Sequence, residues 1–341
     1  MRWSEASIAS LDNQRQQFDI KAYPLPFEQR KVVDMRLGLS LTSHHSALPP
    51  AEAVATTLAR ASAAGAVGLD HLTVGDRHSV GPNGSYLQGV PILARILADW
   101  PSDRSAGLLF LLPLWPPVLV AEMVGTLAAM SDAPFIVQTG IGDGEGQFAA
   151  MNASLSTRGS TTSEAIGVIS RLLQGEIVTS ERFGVEKAAV GPTPVQPIEW
   201  WIGSGKSEAA LARAARLGDA LYLAPGWGLD DVVGLSATYR SLCAALDRPS
   251  RVVLRRDVYV ADDDTVGVST GDRLAASGYR GMSRDVLVCG GVGRVVDLLE
   301  PFARAGVDDV VARTIAVSST EAVRSVELLG LVREGVGPVT G

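Results

Sequence analysis

Glu199 to Ser207 reads EWWIGSGKS: an apolar run, a glycine-serine loop, and then the helical stretch SEAALARAARLG. Small residues at Gly203, Ser204 and Gly205 let a backbone approach a ligand, and the free amides that open a helix favour an anion. The chemistry on offer is phosphate capture, with Ser204, Gly205, Lys206 and Ser207 as the cradle. An ordinary strand-to-helix turn with a polar cap fits the same letters. A nucleoside-triphosphate loop does not: Gly205-Lys206-Ser207 matches the end of G-x-x-x-x-G-K-[ST], but Trp200 stands where the first glycine belongs.

Titratable residues gather after two further strands. His44 and His45 follow the first, and Asp76, Arg77 and His78 follow the second. A carboxylate beside an imidazole orients it or tunes its pKa for proton transfer. Asp76 equally suits a loop cap or an ion pair with Arg77. Three histidines on one face invite a zinc hydrolase, but adjacent His44 and His45 point to opposite sides of an extended chain. No metal is therefore expected, with one histidine of the pair in the site and the other packed outside it. The glycines from Gly140 to Gly146 read either as a flexible loop or as a close approach to a flat ring. No G-x-S-x-G elbow occurs, which removes support for a serine hydrolase.

These residues need strands that end on one rim. Strand patterns fall at Arg36 to Leu41, Leu69 to Val74, Ala106 to Leu112, Phe135 to Thr139, Trp200 to Ile202, Asp219 to Leu223, Arg251 to Val260 and Asp309 to Arg313, with helical patterns between most of them. Gly175 to Pro197 interrupts the alternation as a turn-rich, hairpin-like insertion. About eight strand-helix units predict an α/β fold, a (β/α)8 TIM barrel, whose chemistry sits at the C-terminal strand ends. An open Rossmann sheet is the alternative, disfavoured because no G-x-G-x-x-G follows the first strand. Residues 1–34, rich in Gln, Pro and charge, read as an N-terminal arm packing on the barrel or a neighbouring subunit; residues 35–341 form the barrel domain.

At 341 residues and 46% hydrophobic content the chain is long enough for one large barrel core. A net charge of -7 argues against a nucleic-acid surface, and Leu108 to Val120, with three prolines, is too short to span a bilayer. The N-terminus lacks the apolar run of a signal peptide, and two distant cysteines suit a reducing compartment, so a cytoplasmic protein acting on small molecules is expected.

From Met35 to about Leu331 the order of segments resembles the bacterial-luciferase-like family of flavin- and deazaflavin-dependent oxidoreductases. The landmarks are MRLGLSLT, LTVGDRH, WPPVLVAEMVGTLAAMS, FIVQTGIGDG, the Arg158 to Glu164 segment, PIEWWIGSGKSEAALARAARLGDALYL and VLVCGGVGRVVDLLEPFARAGVDDVVAR. The resemblance implies that the cradle seats a flavin mononucleotide (FMN) phosphate and that Arg158 lies near the cofactor tail. It implies that the Leu109-Phe110 bond supports the flavin ring, in some relatives as a cis peptide, with Gln138 and Thr139 on the adjoining strand. Many relatives carry a histidine where this chain has Arg77, so either Arg77 takes over as cationic donor or a bulge returns His78. His78, Arg77, Asp76 and His44 are the implied catalytic set, and Leu112, Trp115 and Trp227 form either an apolar wall of the pocket or plain core and rim. The implied activity is a monooxygenase using reduced FMN from a separate reductase and molecular oxygen, working as a homodimer or higher homo-oligomer. Deazaflavin-dependent hydride transfer is the close alternative, and a cofactor-less binding barrel is an alternative of another class.

Overall fold

The computed structural model describes residues 35–336 apart from 43, 46–47, 82–84 and 316–317, and the side chain of His44 also lies outside that description. The expected arm, residues 1–34, falls outside the described residues. Among the described residues eight strands of the main sheet build the barrel: β1 (Arg36–Leu41), β2 (His71–Val74), β3 (Ser105–Leu111), β4 (Phe135–Gly140), β5 (Ile198–Ser204), β6 (Ala220–Leu223), β7 (Arg251–Val260) and β8 (Asp309–Thr314). Each pairs in parallel with its sequence neighbours, β8 returns to β1, and β6 joins β7, so the sheet closes on itself. This is the (β/α)8 barrel that the strand-helix alternation predicts.

The strands are apolar runs because both of their faces are covered. Helices α1 (Pro50–Ala66), α2 (Gly89–Leu97), α3 (Pro117–Ala128), α4 (Arg158–Leu173), α5 (Glu208–Leu217), α6 (Leu229–Ala245), α7 (Val292–Arg304) and α8 (Ser319–Val336) wrap the outside. Prolines open α1 and α3, where a missing N–H costs nothing. In α7 the buried residues Val295, Val296, Leu299 and Phe302 recur at helical spacing and form the face pressed on the barrel. The expected hairpin is present as Val178–Ser180 paired antiparallel with Val185–Ala188. A second insertion follows β7: a helix over Asp264–Ala276, a short turn at Tyr279–Gly281, and a strand, Val288–Gly290, alongside the far end of β7.

The lumen is layered. At its N-terminal end Asp309 takes Arg36 and Arg251, Arg251 also reaches Glu199, and His71 lies edge-on to Trp201. Above that, Ile136, Trp201, Ala220, Tyr222, Val253 and Val311 plug the barrel. The C-terminal end stays open, and the side chains that project there from each strand define the site. Among the described residues no helix is long and apolar enough to cross a membrane.

Candidate active site

A cavity of about 490 Å³ opens at the C-terminal ends of β1, β2, β3, β7 and β8. Ser40, Leu41 and Thr42 floor it from β1, Leu109 projects from β3, and Arg255 and Arg313 rise from β7 and β8. Asp76, Arg77, Ser79 and Val80 enter from the loop after β2, and Arg280 from the insertion after β7. Ser79 and Arg280 both have left-handed backbone, with φ of 49° and 52°. Such geometry disfavours a residue with a Cβ and collects where a structure holds a side chain in a required place.

Asp76 organises the loop after β2. Its Oδ2 accepts from the Leu111 backbone N–H at 2.9 Å and from Trp115 Nε1 at 2.8 Å, and its side chain is buried. His78 Nε2 lies 3.2 Å from Asp76 Oδ1 but makes no well-aligned hydrogen bond, and the ring packs edge-on to Trp115. The backbone N–H of His78 donates to Gln147, which ties this loop to the one after β4. His78 is therefore tucked behind Asp76, whereas Arg77 is exposed and lines the cavity.

Across the cavity a second carboxylate gathers cations. Asp257, fully buried on β7, accepts at Oδ2 from Arg313 at 2.9 Å and from the Tyr279 hydroxyl at 3.0 Å. Arg280 Nε stands 3.6 Å from the same oxygen, and Arg255 Nε stands 3.8 Å from Oδ1. Arg313 also donates to Tyr279 and to Thr42. Burial pushes the Tyr279 phenol up, so it stays protonated as a donor at neutral pH. Behind Arg313, the buried Arg60 donates to Thr314, and burial, helped by the Arg313 charge, lowers its guanidinium to about 10.

The loop from β5 into α5 is the predicted cradle. Ser207 caps α5, its hydroxyl accepting from Ala210 N at 3.3 Å, and Ser204 Oγ donates to the Gly205 carbonyl. Lys206 pairs with Asp231 at 2.7 Å and stands over Trp227. A Cβ at Gly205 would meet no atom within 4 Å, whereas one at Gly203 would stand 2.6 Å from the Thr139 carbonyl. Where α4 meets α5, Arg158 and the mostly buried Arg213 each keep a buried Nε without a partner, and Arg213 reaches Gly159.

The model of the luciferase-like monooxygenase family matches residues 35–277. The chain belongs to that family. The structure superposes on a monooxygenase from Streptomyces bottropensis with a TM-score of 0.73 at 20% identity, covering 87% of this chain and 98% of that one. An F420-dependent secondary alcohol dehydrogenase gives 0.74 at 15%, covering 89% and 100%. The oxygenating component of 3,6-diketocamphane monooxygenase from Pseudomonas putida, in complex with FMN, gives 0.68 at 14%, covering 87% and 97%. At these identities the likeness is one of fold. Uncharacterised proteins of Mycobacterium bovis and Mycobacterium tuberculosis are 32% identical over 118 residues, which is 34% of this chain and only 38% of theirs.

Within the luciferase-like barrel several sequence-stated positions resolve. Leu109 and Gln138 lie side by side in register and project into the lumen, Gln138 next to Tyr222. Phe110 and Thr139, also paired, alternate to the helix side, where Phe110 packs on Trp115. Those two positions offer the lumen only their backbone. Among the described residues the cis peptide is Gly191–Pro192, and the Leu109-Phe110 bond is trans. Of the two roles open to Leu112, Trp115 and Trp227, core and rim describe them: Leu112 is fully buried in the outer core, Trp115 is held by Asp76, and Trp227 lies under Lys206, while the cavity is lined mainly by polar groups.

His45 packs outward with Nε2 3.0 Å from the Thr57 hydroxyl of α1, and His44 pairs through its backbone with Tyr86, a cavity residue. Among the described residues no cluster of three or more His, Cys, Asp or Glu is arranged to hold a metal. Sequence reasoning passed over Arg255, Asp257, Tyr279 and Arg280. The first two had a signal: Arg255 and Asp257 sit at alternate positions of β7, a strand otherwise built for a barrel core, and therefore face the lumen together. The other two come from an insertion with no barrel periodicity.

Proposed function

We propose that this protein is a flavin-dependent monooxygenase that takes reduced FMN from a separate reductase and, with molecular oxygen, oxygenates a small organic substrate. The observation that carries this reading is the open cradle at the end of β5, set on the same rim as the cavity, in a chain of the luciferase-like monooxygenase family. The residues present fit the group. Gly205 leaves room for a phosphate, the first amides of α5 have no acceptor within the helix, and Arg158 on α4 and Arg213 on α5 each keep a buried Nε without a partner.

When bound, reduced flavin supplies the electrons for oxygen activation, and the protein supplies position and electrostatics. Ser204, Gly205, Lys206 and Ser207 hold the phosphate, while Leu109 and Gln138, with the backbone of Phe110 and Thr139, form the wall for the ring. Arg77 takes the place expected of a histidine. A guanidinium does not release its proton in this pH range, so Arg77 stabilises negative charge on the reacting oxygen and is not a general acid. Asp76 and His78 hold the Arg77 loop in place. His44 remains the substrate-facing candidate of its pair. The working form is a cytoplasmic homo-oligomer.

Hydride transfer from a reduced deazaflavin is the rival, favoured by the equally good superposition on the F420-dependent dehydrogenase. Anaerobic titration with reduced FMN and with reduced deazaflavin, followed by tryptophan fluorescence, separates the two. Saturable FMN binding supports the proposal. Tight deazaflavin binding without FMN binding reverses it, and binding of neither points to a cofactor-less barrel. Replacing Ser204 and Ser207 with Asp should abolish FMN binding while the fold persists, because Asp also caps a helix well.

A further inference from the structure

The mouth of the barrel carries more positive charge than its own carboxylates neutralise. Arg77, Arg255, Arg280 and Arg313 line the cavity, against Asp76 in the lining and Asp257 behind it. Asp76 is committed to Leu111 and Trp115. Asp257 serves three of the arginines, yet its Oδ1 accepts no hydrogen bond, and the buried Nε of the facing Arg255 donates none. Two cations are left over in a concave space, where solvent screening is weaker than on an open surface.

Position separates this charge from the cofactor cradle. In the closed strand order Arg313 on β8 and Arg77 after β2 stand three strands from β5, Arg255 and Arg280 stand two strands from it, and the cavity they line includes none of Ser204 to Ser207. A phosphate seated in the cradle leaves them unoccupied. Arg280 is delivered by a left-handed residue flanked by the positive-φ Gly278 and Gly281, and its closest carboxylate contact is only 3.6 Å. Its charge is only partly met there, because the Asp257 oxygen it faces is hydrogen-bonded to Arg313 and Tyr279. A guanidinium fork suits a planar or tetrahedral oxyanion, which it can grip through two N–H donors.

We propose that the substrate is an organic acid, a carboxylate or sulfonate, whose anionic group is held by Arg255, Arg280 and Arg313 while its carbon chain runs toward Leu109 and Gln138. This deepens the monooxygenase reading by naming the substrate class of the same site. It assigns Arg280 a specificity role and keeps the charge that meets the substrate apart from the charge that meets the cofactor.

The test uses the full chain and isothermal calorimetry with hexanoate, hexanesulfonate and hexanol as probes. Both acids should bind saturably, with affinity falling as salt rises, and hexanol should bind about tenfold more weakly or not at all. Arg280→Gln should weaken both acids by about tenfold or more and leave hexanol unchanged. Arg280 makes no close bond that the fold depends on, and a thermal melt verifies that the variant is folded; Arg255→Gln provides the second variant. Equal affinity for acid and alcohol, or acid affinity unmoved by both variants, overturns the proposal. Competition between FMN and hexanoate that vanishes in Arg280→Gln also overturns it, because the arginines would then hold the cofactor phosphate. Arginine-dependent acid binding without any flavin binding would refute the monooxygenase reading and leave this one standing, whereas normal flavin binding without acid binding does the reverse.

Discussion

Asp76 is the residue on which the loop after β2 depends, and Asp76→Ala measures that dependence. Its Oδ2 is the acceptor for two half-buried donors, Leu111 N–H at 2.9 Å and Trp115 Nε1–H at 2.8 Å. Truncation leaves both without a protein partner at the wall of the cavity. An unpaired buried donor costs about 1–3 kcal/mol and half-buried ones fall at the low end, so the variant should lose about 2 kcal/mol. Asp76→Asn separates geometry from charge. Its carbonyl can take both donors and its amide faces His78 Nε2, an acceptor in one tautomer, so only the charge-assisted part is lost, about 1 kcal/mol. Urea unfolding followed by far-ultraviolet circular dichroism reads both numbers from the midpoints, provided the slope is unchanged. In addition, Asp76→Ala should weaken reduced-FMN binding more than Asp76→Asn, because the freed loop carries Arg77. An Asp76→Ala midpoint within about 1 kcal/mol of wild type would refute the reasoning and make Asp76 a passive neighbour.

Two further outcomes follow from the lumen. Burial lowers the His71 pKa from 6.5 to about 4, so in that interval the unfolded chain takes up a proton that the folded chain refuses. Stability should therefore fall as pH drops through this window, by about 3 kcal/mol at its lower end. Burial raises Asp309, which contributes with the opposite sign, so the His71 part is isolated as the gap between wild type and His71→Gln. That gap should narrow from pH 7 to pH 4, and a constant gap would contradict the assignment. Gly203→Ala and Gly205→Ala form the second contrast. The first forces a Cβ to 2.6 Å from the Thr139 carbonyl and should cost about 1–3 kcal/mol, whereas the second meets nothing within 4 Å and should leave the melting temperature unchanged while reducing flavin affinity.

The barrel was legible because apolar runs such as LYL in β6 and VVL in β7 must be buried on both faces, and proline-opened or serine-capped helices separate several of them. Placing residues on the C-terminal rim followed from direction alone, and Asp76 and Arg77 do meet there. The exchange between Arg77 and His78 was not legible, since it turns on a left-handed Ser79 and on Trp115 reaching back to Asp76 from far along the chain. Phe110 and Thr139 stand at strand ends on that rim, and alternation along the strands turns their side chains outward and leaves their backbone to the lumen. The Asp257 cluster was missed because its members come from β7, β8 and an insertion, and only closure of the sheet brings them together.

The barrel mouth holds two separate anion sites, a phosphate cradle at β5 and an arginine-lined site over β7, β8 and the loop after β2. A crystal structure of the protein with bound FMN distinguishes them. The phosphate should lie on the backbone of Ser204 to Ser207 and the ring against Leu109 and Gln138, with Arg255, Arg280 and Arg313 free of the cofactor. A phosphate seated on those three arginines, with the Gly205 loop empty, would contradict that arrangement.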